Sequence, residues 1–302
     1  MNQDITILNR DFAIDGQISF STLADGFIVA DVQNKHCTAS IALQGAHLLS
    51  WTPAGEEAVI WMSEDAKFTT GKSIRGGIPV CWPWFGAHGS EASFPAHGFA
   101  RTSIWEITGS RTLDDGRNRL SFRLQGGNQL MWPYSTTCDL HFTLGTTLET
   151  EITTINNSEE SIIIGQALHT YFAIGDIHKT SVHGLDGRRY LDKPDGFKAK
   201  QQIGPITFNG EVDRVYLQTA DECLIEDEEL NRIISIEKTG SASTIVWNPW
   251  EERAAEMGDL GDDGYKNMLC VESANAAEDV VSIAAGGTHS LKVRYSIGPL
   301  NG

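Results

Sequence analysis

The sequence predicts an all-β fold, a large antiparallel β-sandwich with few short helices, as a single domain over residues 1–302. Three observations point there. Apolar and polar residues alternate with period two along the chain, as in strands with one buried face. Turn-forming residues separate the alternating runs. Helical periodicity is scarce, so the crossover helices that a parallel sheet requires are missing.

The alternating runs begin at 37–43 and continue at 103–108 and 119–124. In Cys138-Asp139-Leu140-His141-Phe142-Thr143-Leu144 the cysteine, leucines and phenylalanine share one face, and Asp, His and Thr the other. Runs at 147–155, 232–237 and 243–247 repeat the pattern, and Ser290-Leu291-Lys292-Val293-Arg294-Tyr295 closes it. Asp114-Asp115-Gly116, Gly126-Gly127-Asn128 and Asn156-Asn157-Ser158 supply turns. The predicted helix is Glu251 to Met257, with acids near its start and Gly258 as its stop. Residues 161–172 read as a single strand with Ile163, Gly165, Ala167, His169 and Tyr171 on one face, where Gly165 and Ala167 leave space beside His169.

Forty acidic residues against 23 basic ones give a net charge of −17, which argues against nucleic acid and anionic membranes as partners. Against that field, a local cluster of arginines stands out as a feature with a purpose. No stretch approaches the ~18 apolar residues of a membrane span, and the N-terminal residues lack a secretory pattern. Cys37, Cys81, Cys138, Cys223 and Cys270 form no CxxC pair, so free thiols in a reducing cytoplasm are expected.

The segment KSIRGGIPVCWPWFGAHGSEASFPAHGFAR, Lys72 to Arg101, concentrates the candidate binding chemistry. Arg75 is followed by Gly76 and Gly77, a guanidinium fork beside backbone that a ligand can approach. Pro79 and Pro83 exclude a continuous helix, and Trp82, Trp84 and Phe85 provide flat apolar faces. His97 and Arg101, four apart, share one side if this backbone is extended. Together these suit a ligand with an anionic end and a ring. Elsewhere each candidate has a structural alternative. His169 can be a satisfied core histidine, Glu272 a glutamate at an exposed strand end, and Asp213 a solvated loop acid. Gly71-Lys72-Ser73 lacks the rest of a phosphate-binding P-loop, and neither a metal-ligand spacing nor a GxSxG elbow occurs.

IRGGIPVCWPWFG, HGFAR, ALHTYFAIGDI at 167–177, VDRVY at 212–216, VWNPW at 246–250 and MLCVESAN at 268–275 occur in this order. This series resembles the hexose-6-phosphate mutarotase branch of the aldose 1-epimerase family, also called glucose-6-phosphate 1-epimerases. The resemblance implies a β-sandwich with its site on a concave sheet face and an isomerase that interconverts anomers. It implies His169 as general acid and Glu272 as general base, Arg75 and Arg101 holding the phosphate, and His97 and Asp213 around the sugar. No metal and no cofactor are expected, the partner is a hexose 6-phosphate, and the molecule is expected to be a monomer. Ala96 departs from relatives with a polar side chain there, which bears on substrate preference. Trp82, Trp84, Trp247 and Trp250 stay open between pocket and core. Three other readings remain: a mutarotase of free aldoses; a glycosidase with Asp213 and Glu272 ~5 to 9 Å apart; and a sugar-phosphate-binding protein without turnover.

Overall fold

A computed structural model describes residues 4–23, 26–126 and 130–300. Period-two patterning has its expected result. Nine strands form one sheet, in the order Ile206–Thr207, Thr180–His183, Cys223–Asp227, Arg232–Thr239, Thr288–Pro299, Leu148–Asn156, Thr136–Leu144, Asn118–Gly126 and Glu106–Thr112. A second sheet runs Lys198–Gln201, Arg189–Asp192, Val212–Leu217, Ser243–Asn248, Met268–Asn275, Gln166–Leu168 and Val80–Cys81, with Tyr171–Ala173 also paired to Met268–Asn275. Every ladder in both is antiparallel. A four-stranded sheet of Ile18–Thr22, Ile28–Gln33, Cys37–Ala42 and His47–Pro53 adds to the sandwich.

The two large sheets close on one hydrophobic core. Leu120, Phe122, Leu140, Phe142, Ile152, Leu291 and Val293 of the nine-stranded sheet meet Leu168, Phe172, Tyr216, Val246, Leu269 and Val271 of the other. Each such side chain contributes roughly 1.5–3 kcal/mol when fully buried. Trp82 belongs to this core and donates its indole N–H to Thr154 Oγ1 at 2.9 Å. Trp84 packs there too, donating to the Pro95 carbonyl at 3.0 Å.

The strand Met268–Asn275 is buried along its whole length, because its other face is covered as well. Cys270 and Ala274 lie there with Ala167, Tyr171, Ile245 and Trp247, under Ala254, Leu260 and Tyr265 from the segment that follows the sheet. This second face holds the candidate site. The helix Trp250–Met257 ends at Gly258, whose φ of 64° is the left-handed stop that glycine permits.

Some expectations are corrected. A helix absent from the sequence prediction, Ile5–Phe12, is capped by Asp4, which accepts from the Thr6 N–H at 2.8 Å. The strand expected at 103–108 runs Glu106–Thr112, displaced by a register irregularity between Ile107 and Gly109. Residues 161–172 are not a single strand but three short ones, Ile162–Ile164, Gln166–Leu168 and Tyr171–Ala173, in two different sheets. Gly127 and Asn128 of one expected turn lie outside the described residues.

Candidate active site

Pleating and register bring the site together. Asp213 pairs with Trp247 and Trp247 with Cys270, while Val215 pairs with Ile245 and Ile245 with Glu272. Cross-strand partners point to the same face, so Asp213, Trp247 and Glu272 stand side by side. His169 follows the strand Gln166–Leu168 and keeps the parity of Ala167 and Tyr171. Its Nε2 lies 3.4 Å from Glu272 Oε1.

The histidine is gripped by rings. Tyr171 stacks on it at 5.0 Å and 12°, and Trp61 stacks on Tyr171 at 5.9 Å and 18°. Trp247 and His97 present edges to it at 5.9 and 5.8 Å. Trp247 therefore belongs to the site, whereas Trp250 packs against His178 and Tyr265.

Glu272 is not at an exposed strand end; it is 1% exposed. Among the described residues neither Glu272 Oε2 nor His169 Nδ1 has a hydrogen-bond partner, although both atoms are buried. An unpaired buried polar atom costs about 1–3 kcal/mol, so a ligand that hydrogen-bonds to either atom would be favoured there. Burial, followed by the nearby Asp213 charge, pushes the Glu272 carboxyl well above its ordinary range. Burial, then the neighbouring His97 and the Arg101 and Arg75 charges, pushes His169 well below its own, and His97 would add a charge only when protonated. The pair thus favours its uncharged form, a neutral imidazole beside a protonated carboxyl.

Asp213 is likewise no loop acid. It lies on the strand Val212–Leu217, 8% exposed, and accepts from Lys193 Nζ at 2.5 Å. His97 adopts φ 66°, accepts from the Gly86 N–H at 3.3 Å and meets Phe85 edge-on at 4.7 Å. Burial first, then the Arg101, Lys193 and Arg75 charges, lowers its pKa to about 3, so it is a neutral donor or acceptor.

The two arginines differ. Arg101 starts no extended stretch with His97; it lies in the 3-10 turn Ala100–Thr102 and donates to the Ala96 carbonyl at 2.9 Å. No carboxylate pairs with it among the described residues, yet its charge is felt at His97, His169 and Glu272. Arg75 is already engaged. Its Nε and Nη2 donate to Asp259 at 3.0 and 3.4 Å, and its Nη1 donates to Tyr171 Oη at 2.9 Å. A guanidinium carries five N–H groups, so two remain for a ligand.

The glycines after Arg75 serve packing, because the side on which a Cβ would stand is already filled. A Cβ on Gly76 would lie 2.7 Å from Met62 Cα, and one on Gly77 2.4 Å from His47 Nε2. That buried imidazole bonds the Gly76 carbonyl at 2.8 Å and supports the Arg75 loop. Gly165 opens no space beside His169 either, because a Cβ there would lie 3.1 Å from the Phe85 nitrogen. Lys193, Asp259, Trp61 and His47 escaped the sequence reading. Tyr171 alone carried a signal, its parity with His169.

The family model for aldose 1-epimerase matches residues 29–296. A protein of Escherichia coli (strain K12) named "Putative glucose-6-phosphate 1-epimerase" is 44% identical over 252 residues, covering 82% of this chain and 83% of that one. A protein of Cenchrus ciliaris with the same name is 35% identical, over 83% of this chain and 79% of its own. Among solved structures, a protein of Salmonella typhimurium described as a "putative mutarotase" superposes with TM-score 0.89 at 35% identity. That match covers 95% of this chain and 96% of the other.

Proposed function

Because the chain belongs to the aldose 1-epimerase family, we propose that it is an isomerase interconverting the α and β anomers of hexose 6-phosphates, glucose 6-phosphate first. The observation that carries the chemistry is the buried His169–Glu272 pair, 3.4 Å apart with one further partnerless atom on each side chain.

Anomerisation opens and recloses a hemiacetal. The Glu272 carboxylate takes the C1 hydroxyl proton while the His169 imidazolium gives its proton to the ring oxygen, and the C1–O bond breaks to an aldehyde. Rotation about C1–C2 turns the other carbonyl face inward. Protonated Glu272 then returns its proton to the carbonyl oxygen as the C5 hydroxyl attacks C1, and neutral His169 takes the hydroxyl proton. The pair holds one proton throughout and only redistributes it. Burial favours the uncharged arrangement, which is the state that accompanies the open-chain aldehyde. The ring form must therefore supply hydrogen bonds that stabilise the charged pair before opening. Each positioned group typically contributes ~10² to 10⁴ in rate.

Arg101, without a carboxylate of its own, is the main phosphate ligand in this reading, joined by the two N–H groups that Arg75 has left. The phosphate supplies orientation away from C1. Asp213 and His97 face the sugar hydroxyls. Tyr171, stacked on His169 and bonded to Arg75, ties the phosphate ligand to the acid. We assign no cofactor to this chemistry and take the molecule to be a monomer of the cytoplasm; its five buried free thiols support a reducing setting.

Magnetisation-exchange NMR on equilibrated glucose 6-phosphate and on glucose tests this. Faster α/β exchange for the phosphate alone is expected. Equal acceleration of glucose would leave the arginines without a substrate role, and no acceleration of any hexose phosphate would overturn the reading.

A further inference from the structure

We propose that the outer face of the nine-stranded sheet, opposite the core, carries a second anion site, centred on Arg111 and Arg119 and suited to a phosphate-bearing small molecule. This rests on neither the catalytic reading nor the residues behind it.

The face is a lattice of charges set by register. Asp139 pairs with Arg123, Glu149 with Arg117, Glu151 with Lys292 and Glu237 with Arg294, at 2.6 to 3.0 Å. Glu106, the remaining acid here, lies opposite Arg123 beyond the irregularity at Ile107. The acids of this lattice are thereby committed to other bases or set apart. Arg111 and Arg119 stand directly opposite each other on adjacent strands, and neither side chain makes an ion pair or hydrogen bond within the described structure. Like charges in this relation repel, an unexpected feature on a chain of net charge −17.

The space around them is a groove of about 350 Å³ lined by Gly109, Ser110, Arg111, Arg119, Ser121 and His141. Arg119 and His141 also line an adjoining groove of about 360 Å³. His141 Nδ1 lies 2.8 Å from Ser121 Oγ, so one ring nitrogen is oriented and the other is left for a ligand. Two guanidinium forks, a hydroxyl and an imidazole around one hollow match the oxygens of a phosphate monoester or of phosphate itself. A dianion between the forks would turn their repulsion into attraction.

The test follows arginine Nε–Hε signals of the full chain by ¹H–¹⁵N NMR during titration with inorganic phosphate. Saturable shifts at Arg111 and Arg119 are expected, with half-saturation at roughly millimolar phosphate. In Arg111→Gln/Arg119→Gln the same titration should leave the Ser121 and His141 signals unmoved, and anomer exchange should be unchanged. Shifts that grow linearly, or that chloride at equal ionic strength reproduces, would be ordinary screening and would overturn the site. Glucose 6-phosphate saturating at lower concentration than phosphate identifies a phosphorylated metabolite as the ligand, and equal saturation identifies phosphate itself. A second measurement guards the premise: in phosphate-free buffer Arg111→Gln should raise Tm by relieving the repulsion, and a lower Tm would remove the argument.

Discussion

Two faces of this sandwich carry charged side chains, and they handle them in opposite ways. On the outer face of the nine-stranded sheet, register sets acid against base across neighbouring strands, as with Glu237 and Arg294 or Glu151 and Lys292, at roughly half-exposed positions. Such pairs are cheap to form and contribute little. On the second face of the other sheet, Glu272 and His169 are buried, only loosely in contact and short of partners. Water would solvate the first set equally well, whereas the second set persists against a desolvation cost. Exposed charges that satisfy one another mark structure; the buried pair of Glu272 and His169, held in its uncharged form by desolvation and able to exchange one proton, marks the candidate chemistry.

The largest test of that contrast is Glu272→Gln. Anomer exchange should fall by ~10² to 10⁴, the value of one positioned base. Tm should hold or rise above pH ~4.5, the ordinary range of a glutamate, because a carboxyl whose folded pKa is raised loses stability as pH climbs from its unfolded pKa to its folded one. A Tm drop with retained exchange would make Glu272 structural.

Asp213→Asn should act through pH. The single-proton pair loses activity in acid, when neutral His169 and protonated Glu272 gain a second proton, and in alkali, when the one proton leaves. Asp213 raises the Glu272 pKa, so its removal moves the alkaline limb to lower pH. A pH–rate profile with an unmoved alkaline limb would end this electrostatic role.

Tyr171→Phe keeps the ring on His169 but removes the oxygen that Arg75 holds. We expect kcat to fall ~10- to 100-fold, the worth of about one hydrogen bond to a charged group, with KM little changed. A rise in KM alone would give Arg75 back to the phosphate entirely.

Smallest of all, Glu237→Ala with Arg294→Ala should cost no more than ~1 kcal/mol by denaturant titration and leave exchange untouched. A larger loss would break the comparison from its structural side.

Much of the fold could be read in the chain, because strand period and turn residues are local properties. The run from Cys138 to Leu144 and the run from Ser290 to Tyr295 lie within strands that turn their apolar residues to the core as alternation requires. The break at Gly165 could not be read, since that residue donates its N–H to the distant Pro83 carbonyl at 2.9 Å, beside the Trp84–Phe85 backbone. Nor could the glycines after Arg75, whose need for glycine arises from Met62 and His47, distant in sequence.

Alternation and turn chemistry by themselves determined an antiparallel all-β architecture, and the motifs resembling a known family determined which histidine, glutamate and arginines to examine. Only the tertiary structure decided how those groups stand to one another. It set Asp259 and Tyr171 on Arg75, Lys193 on Asp213, and Tyr171 flat against His169. The physical reason is that alternation is written into each residue and its neighbours, whereas an ion pair such as Arg75–Asp259 joins groups 184 positions apart through the register of strands between them.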